Sequence, residues 1–125
     1  MTKTYQGSCH CGRVRFEVDV DLDHVRRCDC SLCHKRGALN HRVEASCFRL
    51  LTPLEELSTY QWHTRTATDY FCPVCGVASF YIPRSDPDRV DVNVRCVDGV
   101  DPSEISTASF DGRHWEEAMR RGDPR

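Results

Sequence analysis

Val14, Phe16, Val18 and Val20 alternate with charged residues across Arg13–Val20. This period of two predicts a strand with one buried face. Val90, Val92 and Val94 repeat the pattern over Arg89–Arg95, and Asp69–Phe71 and Ser79–Ile82 read as strands flanking a pair of cysteines. Phe48–Leu51 and Leu57–Trp62 carry weaker forms of the same signal. Helical signals are short: Ser31–Arg36, a Pro-started turn at Thr52-Pro53 running into Leu54–Leu57, and Asp111–Arg120 near the C-terminus. Turns are marked by Pro83 to Pro87, Asp98-Gly99 and Asp101-Pro102. Many short strands and few short helices predict a mainly β fold of antiparallel sheets.

The 125 residues form neither repeats nor linkers, and their length suits one domain over residues 1–125. Hydrophobic residues are 39% of the chain, lean enough for a metal or cross-link to matter. The formal net charge is −2. The basic cluster Arg13, Arg15, Arg26, Arg27, Lys35 and Arg36 is interleaved with Glu17, Asp19, Asp21, Asp23 and Asp29, so nucleic-acid binding is not expected. No apolar run approaches membrane-helix length, and the N-terminal segment lacks a signal-peptide core. A cytoplasmic protein without a membrane partner is the expectation.

The nine cysteines change the picture most. In a reducing compartment they point to metal rather than disulfides. Cys72-Pro-Val-Cys75-Gly76 is the pattern of a tight turn whose two thiolates face one ion, with backbone N–H groups aimed at the sulfurs and Gly76 at positive φ. A tetrahedral zinc needs two more ligands, and Cys9-His-Cys11-Gly12 supplies the matching pair from the other end of the chain. The competing reading is a redox C-x-x-C, which leaves Cys9 and Cys11 without a role. His10 reads as a surface residue. Cys28, Cys30 and Cys33 form a second set in which three thiols face one ion. Three ligands imply a position open to a thiol or carbonyl; a fourth from Cys47, His34, His41, His63 or Cys96 would instead close the site. Cys47 and Cys96 otherwise read as small core residues, and Tyr70 as an aromatic at the edge of the core. Lys35 and Arg36 follow the trio directly and could hold a substrate carboxylate.

The segments GSCHCGRVRFEV, CDCSLCHKRGA, FCPVCG, VDVNVRCVDGVD and FDGRHWE, in this order from about Gly7 to Glu116, resemble the glutathione-dependent formaldehyde-activating enzyme (GFA) family, also called the CENP-V domain family. The resemblance implies an Mss4-like fold of zinc-bound antiparallel sheets. It implies a structural zinc on Cys9, Cys11, Cys72 and Cys75 and a second zinc on Cys28, Cys30 and Cys33. The implied activity is that of a carbon–sulfur lyase: glutathione, or another small thiol, adds to formaldehyde to give S-hydroxymethylglutathione. Lys35, Arg36 and Arg95 are then candidate anchors for the glutathione carboxylates. The alternatives are a non-catalytic zinc module that binds a protein partner and a thiol or redox sensor built on the trio.

Overall fold

The alternation that begins at Arg13 becomes a strand from Arg15, and its apolar positions form the centre of the molecule. A computed structural model describes residues 2–22, 25–28, 31–61, 67–84, 86–105, 107–110 and 112–121. The strands are β1 (Lys3–Ser8), β2 (Arg15–Val20), β3 (Val25–Cys28), β4 (Asn40–Glu44), β5 (Phe48–Leu50), β6 (Ser58–Tyr60), β7 (Thr68–Phe71), β8 (Phe80–Ile82), β9 (Arg89–Asn93) and β10 (Thr107–Phe110). Two short helices, α1 (Ser31–Arg36) and α2 (Trp115–Arg121), accompany them. The fold is mainly β, as the pattern predicts.

The strands make a three-stranded sheet in the order β1-β2-β5 and a seven-stranded sheet in the order β10-β3-β4-β9-β8-β7-β6. All pairings are antiparallel except β10 with β3. Phe16, Val18 and Val20 on β2 are buried, as are Phe80 on β8 and Val90 and Val92 on β9; all join one core cluster with Val14 and Val43. A row of rings crosses from one sheet to the other. Phe16 stacks on Phe48 at 5.4 Å, Phe48 meets Phe80 at 4.8 Å, and Phe80 stacks on Tyr70 at 5.0 Å. Such pairs add about 0.5–1.5 kcal/mol each beyond area burial. Tyr70 thus lies where the sequence places it, partly buried against the core.

The small sheet meets the segment that follows β9 through Gly7, which bridges to Val97. A Cβ on Gly7 would fall 2.2 Å from the Phe16 ring and 2.7 Å from the Cys96 carbonyl oxygen, so only glycine fits this crossing. A second cluster of Val25, Leu39 and Val94 fills the far end of the large sheet. Helix α2 buries Ala118, and Trp115 packs under the Arg84 guanidinium at 3.4 Å.

Several elements differ in detail from expectation. The strand expected over Arg89–Arg95 stops at Asn93, because the Asn93 side chain accepts from the Arg95 N–H and turns Val94–Cys96 into a 3₁₀ turn. The Pro-started helix shrinks to a 3₁₀ turn over Leu54–Glu56. The C-terminal helix begins at Trp115 after a 3₁₀ turn over Gly112–His114. Trp62 falls outside the described residues, and β6 ends at Tyr60.

Candidate metal centre

Each half of the first cysteine set sits in the loop of a two-stranded unit. The β1–β2 pairing closes at Ser8 and Arg15, leaving Cys9–Val14 as the connecting loop. Within it the Cys9 N–H bonds to the Val14 carbonyl at 3.0 Å, and the Val14 N–H returns to the Cys9 sulfur at 3.3 Å. The β7–β8 pair carries the second loop. There the Gly76 N–H bonds to the Cys72 carbonyl at 2.9 Å, and the Val74 and Cys75 N–H groups approach the Cys72 sulfur at 3.4 and 3.5 Å. Both loops turn on a glycine at positive φ, Gly12 at 84° and Gly76 at 80°. The two loops therefore share one design and come from different sheets.

They converge. The Cys11 sulfur lies 3.7 Å from that of Cys9 and 3.7 Å from that of Cys72, and all four ligand atoms of Cys9, Cys11, Cys72 and Cys75 lie within 4.8 Å of one another. Sulfurs about 2.3 Å from a tetrahedral zinc are separated by about 3.8 Å, so the spacing fits a four-thiolate ion. None of these cysteines is in a disulfide. Cys9 and Cys72 are buried, while Cys11 is exposed.

The local electrostatics favour thiolate on the second loop. The Cys11 and Val77 backbone N–H groups bring the Cys75 thiol down to about 6. Desolvation pushes Cys72 up, but the N–H groups of Cys75 and Val74 outweigh it and leave the thiol below its ordinary value. On Cys11 the Arg13 backbone N–H favours the thiolate, but desolvation and the sulfurs of Cys72, Cys9 and Cys75 prevail and raise it to about 11. A divalent ion removes that mutual repulsion among like charges.

A model of the glutathione-dependent formaldehyde-activating enzyme family matches residues 4–112. The chain belongs to this family. Among solved structures, this GFA-family chain is similar to a Rhodobacter sphaeroides protein studied by crystallography in a structural genomics programme. The two are 39% identical with a TM-score of 0.75, and the match covers 82% of this chain and 99% of the other.

Of the second cysteine set, Cys30 lies outside the described residues, and Cys28 ends β3. Cys33 is buried on α1, and the Asn40 amide nitrogen lies 3.8 Å from its sulfur. Residues alternate across a strand, so His41, next to Asn40 on β4, points to the other face. There its Nε2 lies 2.8 Å from the Asp21 carbonyl, which removes it as a ligand beside Cys33. Cys96 is buried, as expected, with its sulfur 3.8 Å from the Ala78 carbonyl. Burial, then the nearby Cys9 and Cys75, push its thiol up, so it stands near the four-thiol cluster. Cys47 is half-buried against the core, His10 and His34 are exposed, and His63 lies outside the described residues.

The three candidate anchors differ. Lys35 is exposed on α1. The Arg95 side chain donates to the Gly37 carbonyl at 3.0 Å, at the C-terminal end of α1. Arg36 Nη1 reaches Asp69 Oδ1 at 2.8 Å and lines a cleft of about 630 Å³ with Thr59, Tyr60, Phe71, Gly76, Val77, Ala78 and Asn93. This cleft borders the Cys72–Cys75 turn on one side and the helix bearing Cys33 on the other. Sequence reasoning missed its other walls, since β6, β7 and β9 meet there only through sheet order.

Proposed function

We propose that the chain is a zinc-dependent carbon–sulfur lyase-type enzyme that adds glutathione, or another small thiol, to formaldehyde. The observation that carries this reading is membership of the family over residues 4–112. The cleft lined by Arg36 supports it, because it gives a substrate room against α1, the helix that carries Cys33. In this reading residues 1–125 act as one domain in the cytoplasm. Among the described residues no helix is long and apolar enough to cross a membrane.

The structural zinc is assigned to Cys9, Cys11, Cys72 and Cys75, whose sulfur spacing suits it. A second zinc is assigned to Cys28, Cys30 and Cys33, a donor set of three thiolates that leaves a position for substrate. Zinc in such a site lowers the pKa of a substrate thiol, so that sulfur is nucleophilic at neutral pH. The chain's own residues then orient the reactants. Lys35, Arg36 and Arg95 surround the last turn of α1, where basic side chains hold the substrate carboxylates. Phe71, Tyr60 and Val77 give the cleft an apolar wall for the substrate's apolar part. As the sulfur–carbon bond forms, the carbonyl π electrons move to oxygen, and the proton lost from sulfur ends on that oxygen.

Exchange NMR on formaldehyde and glutathione tests the reading. Zinc-loaded protein accelerates adduct formation over a protein-free control; no acceleration rejects the activity. The four-thiol cluster also favours a second reading, a non-catalytic zinc module for protein interaction or redox sensing, because four protein ligands close a site. That reading predicts no turnover and a closed second site.

A further inference from the structure

Of the four clustered cysteines, Cys11 is the exposed one; Cys9 and Cys72 are buried and Cys75 is half-buried. His10 and Arg13 are exposed as well, so the tip of the β1–β2 loop is open to solvent around Cys11. The centre therefore has a closed side and an open side, and a small solute meets Cys11 first.

The Cys11 sulfur has two near neighbours, Cys9 and Cys72, each at 3.7 Å. The two contacts are not equivalent. Cys9 lies two positions away on the same loop, so a bond to it ties nothing that the loop has not already joined. Cys72 lies 61 positions away on the β7–β8 loop, so the Cys11–Cys72 contact crosses from one sheet to the other. A cross-link over the longer loop constrains the unfolded chain more. Under thiol–disulfide exchange the folded state therefore favours the crossing bridge. A fifth sulfur, that of Cys96, is engaged by the Asn93 amide at 3.6 Å and the Ala78 carbonyl at 3.8 Å.

We propose that Cys11 is an oxidation site for small hydroperoxides, and that its product is a Cys11–Cys72 disulfide that replaces the metal as the tie between the sheets. The Cys11 thiolate attacks one peroxide oxygen; the O–O bond breaks, hydroxide leaves and a sulfenic acid forms. The Cys72 thiolate then attacks the Cys11 sulfur; the S–O bond breaks and a second hydroxide leaves as the S–S bond forms. The two sulfurs lose two electrons and the peroxide gains them. Cys9 and Cys75, one on each loop, are left as too few ligands for a tetrahedral site, and the ion is released. A thiol reductant reverses the change. This rests on the zinc assigned to the four sulfurs and not on the formaldehyde chemistry, which uses neither Cys11 nor Cys72.

The test treats reduced, zinc-loaded protein with hydrogen peroxide. Free thiols are alkylated and the disulfides mapped by mass spectrometry, while released zinc and near-ultraviolet dichroism are followed in parallel. The expected result is loss of one zinc per chain in step with a peptide pair linked through Cys11 and Cys72. The near-ultraviolet signal persists in this bridged, zinc-free protein, whereas chelation of the unoxidised protein abolishes it; dithiothreitol with added zinc restores the starting state. Cys30→Ala, which disrupts the second cysteine set, forms the same bridge at an unchanged rate. A first bridge between Cys9 and Cys11, between Cys72 and Cys75 or to Cys96 overturns the proposal. So does zinc release that leaves Cys11 and Cys72 alkylated, a bridge that depends on Cys30, or a near-ultraviolet signal lost as the bridge forms. If the purified protein carries no zinc on these sulfurs, the metal assignment falls and the peptide map alone decides the bridge.

Discussion

At the scale of single residues, the four converging sulfurs have the largest consequences. Binding of a structural zinc supplies of order ~10 kcal/mol in small zinc-dependent folds, comparable to the whole stability of a domain this size, and a site short of one ligand holds the ion less tightly. Cys72→Ala and Cys9→Ala are expected to give unfolded or aggregated protein by circular dichroism. Cys30→Ala, outside the four-thiol cluster, is expected to stay folded and to lose one zinc by metal analysis. Gly7 is a constraint of another kind. Gly7→Ala places its methyl into the Phe16 ring and the Cys96 carbonyl, and a chemical denaturation midpoint well below wild type is the expected result. The C-P-x-C-G and C-x-C-G patterns were readable because each combines ligand spacing with a glycine in the left-handed region, a local demand. Asp69 was not readable as the partner of Arg36, because 33 positions separate them and only the order of the strands brings them together.

Elements whose two faces differ in polarity were legible, and those without such contrast were not. β2 alternates apolar and charged residues because its faces see core and solvent, so its position follows from the chain alone. β1 (KTYQGS) has a mostly polar surface and holds its place by pairing with β2, so no hydrophobic pattern announces it. β3 and β4, with VRRC and NHRVE, are similar: their charged side chains find partners on neighbouring strands, a tertiary outcome. Two measurements address this level. Phe16→Ala removes a fully buried ring from the row that joins the sheets and is expected to cost about 3–5 kcal/mol in denaturant unfolding. On the outer face of the small sheet, the Arg49 guanidinium and the Thr4 hydroxyl hold the Asp19 carboxyl down to about 2. Its folded pKa lies below the unfolded one, so its contribution to stability is complete above about pH 4 and is lost as pH falls through about 2. NMR titration is expected to show this midpoint, and Arg49→Met to move it up toward the ordinary aspartate value.

For the molecule as a whole, the four-thiol cluster is where the two sheets are tied. One pair of these cysteines sits on the β1–β2 loop and the other on the β7–β8 loop, so an ion held by all four would clasp the small sheet to the large one. The aromatic row joins the same two sheets, and the Gly7–Val97 bridge ties the small sheet to the segment that follows β9. Chelation is therefore expected to loosen the interface before it melts either sheet, with near-ultraviolet dichroism of the aromatic residues lost ahead of the far-ultraviolet signal. Gly76 and Val77 of the β7–β8 loop line the cleft, so an ion held by that loop would also fix one of the cleft walls. The most direct test of the clasp is anomalous diffraction at the zinc edge from crystals of the purified protein. A peak about 2.3 Å from each of the sulfurs of Cys9, Cys11, Cys72 and Cys75 is the expected result. No peak at that point, or continuous density joining these sulfurs as disulfides, would contradict the account.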